Sequence, residues 1–167
     1  MMKISFTEKP VLIIFLTLTS IISGCLNAPD LSDTPEITSI SLSKNAIVQG
    51  NLNKDSLVFI IRFTDGDGNF GSDNFPNIFI KDSRQENLVY EYKAPFIPEE
   101  GTNNGIKGTI YLTLYTICCL SEMNSSCCVD LFGCPTENSL FFDVTIRDRD
   151  NNTSNVFTTE KIILLCR

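Results

Sequence analysis

Leu57-Val58-Phe59-Ile60-Ile61-Arg62-Phe63-Thr64-Asp65-Gly66-Asp67-Gly68-Asn69-Phe70-Gly71-Ser72-Asp73 is the stretch around which the rest of the chain is ordered. Its first half, Leu57 to Phe63, is a short apolar run rich in β-branched and aromatic residues, which predicts a buried strand. Its second half sets oxygen-bearing side chains on alternate residues, Asp65, Asp67 and Asn69, with glycine between, and Asp73 follows shortly after. Glycine permits a tight loop with positive φ. Such a loop can fold carboxylates around one hard cation.

From Ile37 to the C-terminus the apolar runs stay short, with turn signals between them. Strands are expected near 37–48, 56–64, 77–81, 87–93, 107–117, 139–147 and 156–165. Ile110, Leu112 and Leu114 alternate with Tyr111, Thr113 and Tyr115, which is strand periodicity. No stretch after the N-terminal segment carries a helical period. Seven short strands predict an all-β chain, an immunoglobulin-like β-sandwich over residues 37–167. A partly open barrel is the alternative. Gly101 to Gly105 reads as a flexible loop, and its Asn-Gly pair suits a hairpin turn.

The acidic loop matches two nucleotide or metal motifs poorly. Gly66, Gly68 and Gly71 have the spacing of a dinucleotide fingerprint, but Ser72-Asp73-Asn74-Phe75-Pro76 cannot open the helix that motif needs. With Asp65 as position 1 of an EF-hand, position 6 is Phe70 and position 12 is Pro76, where Gly and Glu belong. What remains is a non-EF loop for Ca²⁺, weighed against a plain solvated Asp-Gly turn. A second acidic cluster, Asp148-Arg149-Asp150-Asn151-Asn152, follows the predicted strand Phe141 to Arg147. In an immunoglobulin-like order that strand and Leu57–Phe63 run the same way, so both acidic loops lie at one pole. Asp148 or Asp150 then completes the site. The bland alternative is a charged turn in which Arg149 balances its neighbours.

The N-terminus is a targeting segment. Lys3 and Lys9, with Glu8, precede an apolar stretch from Val11 to Ile22, too short to span a bilayer comfortably. Ile22-Ser23-Gly24-Cys25 resembles the lipobox of bacterial lipoproteins. That resemblance implies cleavage after residue 24 and lipid on Cys25. Several acyl chains anchor stably where one is marginal. Residues 25–36 then form a tether, about 35 Å long if fully extended. Leu26 follows the lipidated position, and by resemblance to Gram-negative systems this favours the outer membrane.

The two acidic loops together resemble those of a group of small, largely uncharacterised Gram-negative lipoproteins. These pair an F-x-D-G-D-G-D-I-G-like loop with a late D-x-x-x-N-x-S-N-like turn. Here the matching residues are Phe63 to Gly71, then Asp148 to Asn151, Ser154, Asn155 and Thr158. The likeness spans 37–167 loosely and is specific in these two loops. The group has a third Asp where this chain has Asn69, a change that weakens a metal site. The resemblance implies no reaction.

Seven cysteines occur. With Cys25 reserved for lipid, Cys118, Cys119, Cys127, Cys128, Cys134 and Cys166 remain, and an even number in an exported chain predicts disulfides. Zinc is the rival, but no histidine and no clean C-x-x-C pair is present. If strands alternate up and down, the 118–138 connection and Cys166 share the pole opposite the acidic loop. Cys166 is therefore expected to pair with one of the five, and Cys118 and Cys119, on opposite faces, not with each other. That stapled 118–138 loop is the expected surface for a protein partner.

The formal charge is −7, and losing Lys3, Lys9 and Glu8 with the first 24 residues leaves −8. Such a chain suits neither nucleic acid nor an anionic membrane surface. Histidine is absent, which excludes Ser-His-Asp and Cys-His machinery. Tryptophan is absent too, and no aromatic sugar platform is evident in the sequence. The expected role is a lipid-anchored, non-catalytic binding or structural module, stabilised by calcium. The alternatives are an accessory hydrolase domain using Asp65 and Asp67, or an adhesin or subunit of a surface complex.

Overall fold

A computed structural model describes residues 31–49, 55–98, 105–115, 117–123, 126–127 and 134–166. Among these residues the chain is all-β, with no helix. The strands are β1 (Glu36–Leu42), β2 (Ala46–Val48), β3 (Ser56–Asp65), β4 (Ile78–Asp82), β5 (Val89–Tyr92), β6 (Ile106–Tyr115), β7 (Glu137–Leu140), β8 (Phe142–Ile146), β9 (Phe157–Thr158) and β10 (Ile162–Leu165). They form three sheets, ordered β1-β3-β6, β5-β4-β8-β9 and β2-β10-β7. All pairings are antiparallel except β2 with β10.

Ten strands stand where seven stretches were expected, because three stretches are interrupted. At each break a hydroxyl takes over a ladder bond. Ser43 Oγ accepts from Val58 N–H, Ser83 Oγ from Phe141 N–H, and Thr159 Oγ1 from Phe142 N–H. Each of those hydroxyl residues also donates its own N–H back across, to Val58, Phe141 and Phe142. Short hydroxyl side chains compete with the backbone in this way and end regular pairing without leaving a donor unpaired.

The core follows strand alternation. Leu57, Phe59, Ile61 and Phe63 of β3 face inward, as do Ile78 and Ile80 of β4 and Phe142, Val144 and Ile146 of β8. The first two sheets meet where Phe59 packs edge-on against Phe142, ring centroids 5.5 Å apart. A fully buried Phe is worth about 1.5–3 kcal/mol of transfer free energy. β3 and β6 pair without a break from Ser56↔Tyr115 to Asp65↔Ile106. That ladder carries the regular backbone right up to Asp65.

At one end of the molecule Cys119 is bonded to Cys166, and Cys127 to Cys134. Cys118 is also disulfide-bonded. Cys128 lies outside them as well. Arg84 organises this end by donating to Cys118 O and to Asn138 Oδ1. The N-terminal segment with Cys25, and most of the Gly101–Gly105 loop, lie outside the described residues.

Candidate metal centre

Asp65 is the fifth inward position of β3, in phase with Leu57, Phe59, Ile61 and Phe63. Alternation therefore drives its carboxylate to the core side, where it is 0% exposed. Asp148 arises the same way, one step beyond Phe142, Val144 and Ile146, and is also fully buried. Both Asp65 oxygens are buried and accept no hydrogen bond, and neither does Asn69 Oδ1. An ionised carboxylate so placed costs several kcal/mol unless a partner is supplied.

Two loops close over these oxygens. Asn69 O accepts from Arg149 N–H at 3.4 Å, and Asn69 Nδ2 donates to Asp67 Oδ2 at 2.7 Å and to Asp150 Oδ2 at 3.0 Å. The amide nitrogen thus binds two carboxylates while the amide oxygen turns inward. Asp148 is held by the N–H and side-chain amide of Asn152, each at 2.8 Å. Arg149 bridges the two loops. Its Nη1 donates to the carbonyls of Phe70, Gly71 and Ile97 at 3.1–3.2 Å, and its guanidinium lies over Phe96 at 4.6 Å. One cation therefore ties the second acidic loop to the first. Gly71, at φ 90°, sits so close that a Cβ there would lie 2.1 Å from Pro95 O. Below the loop, Phe70 packs on Phe63 with centroids 4.5 Å apart.

The electrostatics match the geometry. Burial, then the charges of Asp67 and Asp148, push the Asp65 carboxyl up to about 7. The Phe70 N–H offers some relief without reaching hydrogen-bond geometry. Asp67 is raised as well, by burial and by the charges of Asp148, Asp33 and Asp150, while the Asn69 N–H works against the rise.

Of the six residues expected to hold a metal, five gather here: Asp65, Asp67, Asn69, Asp148 and Asp150. Asp73 does not join them. It is exposed, and its carboxylate accepts from Phe96 N–H at 3.5 Å. Asp33, in the stretch expected to be a tether, adds its charge to those acting on Asp67. Among the described residues no group of three or more Asp, Glu or Cys side chains is placed so that it could hold a metal ion as it stands. The arrangement is a buried pair of acceptors rimmed by carboxylates, with oxygens of the kind that hard cations prefer. No protein-family model, curated protein or solved structure matches the chain.

Proposed function

We propose that this chain is a lipid-anchored, non-catalytic module of a Gram-negative outer membrane, with Ca²⁺ stabilising the acidic pole. One observation carries the metal reading: neither oxygen of the fully buried Asp65 accepts a hydrogen bond of normal geometry, and neither does Asn69 Oδ1. Ca²⁺ supplies the missing charge and takes six to eight oxygens, which Asp65, Asp67, Asn69, Asp148 and local carbonyls offer. The anchor rests on Ile22-Ser23-Gly24-Cys25 after an apolar stretch, and the outer-membrane assignment on Leu26.

The same pole favours an immunoglobulin-like order. β7 and β8 act as one strand broken at Phe141, β9 and β10 as another broken at 159–161, and the parallel β2–β10 pair closes the edge. The opposite, disulfide-held pole, where Met123 is 88% exposed, is the face we assign to a protein partner. A hydrolase using Asp65 is disfavoured, because a fully buried carboxylate offers no substrate a path.

Calorimetric titration tests the metal. Wild type is expected to bind one Ca²⁺ per chain at about 10⁻⁴–10⁻³ M, the range of extracellular modules. Asp65→Asn is expected to bind none. Equal heats from both proteins would remove the site.

A further inference from the structure

Among the described residues each of the three sheets has two edge strands, and all but one of these edges are blunted. β2, β5, β7 and β9 have two to four residues each, and β1 carries a bulge between Ile37 and Ser39. Short and bulged edges resist pairing with another chain. β6 differs from them. It runs ten residues, Ile106 to Tyr115, contains no proline, and pairs with β3 without a register shift.

Hydrogen bonding on the far side of β3 identifies the groups that β6 turns outward. Ser43 N–H donates to Val58 O, Ser43 Oγ accepts from Val58 N–H, and Thr38 Oγ1 donates to Arg62 O. Even-numbered residues of β3 therefore turn their backbone to β1, and odd-numbered residues turn theirs to β6. The odd-numbered residues face even-numbered ones of β6, from Leu57↔Leu114 to Asp65↔Ile106. Lys107, Thr109, Tyr111, Thr113 and Tyr115 thus direct N–H and C=O away from β3, and nothing among the described residues bonds them. Their side chains stand on the outer face of the sheet, Tyr111 72% exposed and Tyr115 51%. Such a row of donors and acceptors fits one kind of partner, another β-strand.

Lys107, at one end, is the only charge in the row. The outward positions of β3 and β6 together carry Arg62 and Lys107 and no carboxylate, on a chain of formal charge −7. Two acidic copies can therefore meet here without opposing carboxylates. A foreign peptide would need pockets beside the edge to select its side chains. Two clefts of the molecule, one beside Arg84 and Phe141 and one beside Leu42 and Lys44, do not border β6.

We propose that β6 pairs antiparallel with β6 of a second copy, about a twofold axis at Tyr111. Tyr111 then faces its own equivalent, Thr109 faces Thr113, and Lys107 faces Tyr115. All five are outward-bonding positions, so the pairing forms about ten hydrogen bonds. Aromatic and threonine pairs directly opposite stabilise a sheet, and the two lysines lie at opposite ends. A parallel pairing in register would set Lys107 against Lys107. The two β1-β3-β6 sheets become one continuous sheet across the axis. The pairing does not depend on the cation site.

Sedimentation equilibrium of the full chain, in detergent matched to solvent density, tests it. Wild type is expected to be a dimer. Tyr111→Lys sets like charges face to face at the axis, on an exposed position, and should weaken association roughly ten-fold. Thr113→Pro removes an N–H that β3 does not use, and should leave a folded monomer. Thr109→Lys combined with Thr113→Glu sets opposite charges against each other in this register, and should keep the dimer. Residue-resolved amide exchange is expected to be slow at 109, 111 and 113 in the dimer and to quicken on dilution. A monomeric wild type, or a dimer that both Tyr111→Lys and Thr113→Pro leave unchanged, overturns the proposal. So does slow exchange at those amides in a monomer, which would mean that a different strand covers the edge.

Discussion

Asp65 and Asp82 are both fully buried at the ends of inward-facing runs, yet they are served differently. Asp82 is held by Arg84, whose Nη2 reaches Oδ2 at 2.6 Å while its Nε and backbone N–H reach Oδ1 at 3.0 and 2.9 Å. Neither oxygen of Asp65 accepts a hydrogen bond of normal geometry. The fold thus satisfies a buried carboxylate from within at one pole and leaves the one at the other pole without a hydrogen bond of normal geometry. The Ca²⁺ reading grows from that contrast.

The Asp65 carboxyl gives the metal-free domain a pH dependence of definite sign. Its folded value, about 7, lies above the ordinary 3.8 because of burial and the charges of Asp67 and Asp148. Between those values the folded state holds more protons than the unfolded one, so stability falls as pH rises. From pH 5 to 8 in EDTA the loss is expected to be roughly 2–3 kcal/mol. Asp65→Asn should flatten the profile. A wild-type melting point that rises over this range would contradict the assignment.

Arg149 should matter more than an exposed turn residue does. Arg149→Met strands the carbonyls of Phe70, Gly71 and Ile97 and gives up the stack on Phe96. Denaturant unfolding is expected to show a loss of about 2–4 kcal/mol. Lysine cannot reproduce a guanidinium fork and should recover little. A loss under 0.5 kcal/mol, the range of ordinary surface changes, would mean the clamp holds nothing.

The Cys119–Cys166 bond spans 47 residues and joins the end of β10 to the 118–138 connection. In the chain-entropy model it is worth about 4 kcal/mol. Replacing both cysteines by serine should lower the melting midpoint by roughly 10–20 °C, with Ca²⁺ binding at the opposite pole retained. Loss of Ca²⁺ binding at a temperature where the variant is still folded would tie the two poles together, contrary to this account.

Anchoring is tested at Cys25. Cys25→Ala is expected to appear in the soluble fraction or to stall before cleavage, and wild type to carry the mass of acyl chains. Equal membrane partition of the two proteins, with no acyl mass on wild type, would exclude the lipoprotein assignment.

Much of the acidic pole was legible from alternation. Once Leu57 to Phe63 is a strand, Asp65 falls in the inward phase, and Asp148 follows Ile146 by the same rule. Asp73 lies near the loop in sequence, yet it is exposed, with Phe96 N–H 3.5 Å from its carboxylate. Asp33 and Arg149 left no local signal. Asp33 sits in a stretch with little to bury, and the missing Cβ of Gly66, far along the chain, is what admits the neighbouring Leu31–Ser32 backbone. Arg149 looks like one charge among several, and its three carbonyl acceptors come from residues 52 to 79 positions away. The strand breaks were hidden for a similar reason, since Ser43, Ser83 and Thr159 each bond a residue distant in sequence.

Thermal unfolding at pH 7.5, in EDTA and in CaCl₂ at about ten times the dissociation constant, tests the central claim most directly. Linkage gives about 1.4 kcal/mol of stabilisation at that ratio. For a domain of this size the midpoint should rise by roughly 3–6 °C. Asp65→Asn should melt higher than wild type in EDTA and show no further rise with calcium. Wild type melting at one temperature in both buffers would contradict the account.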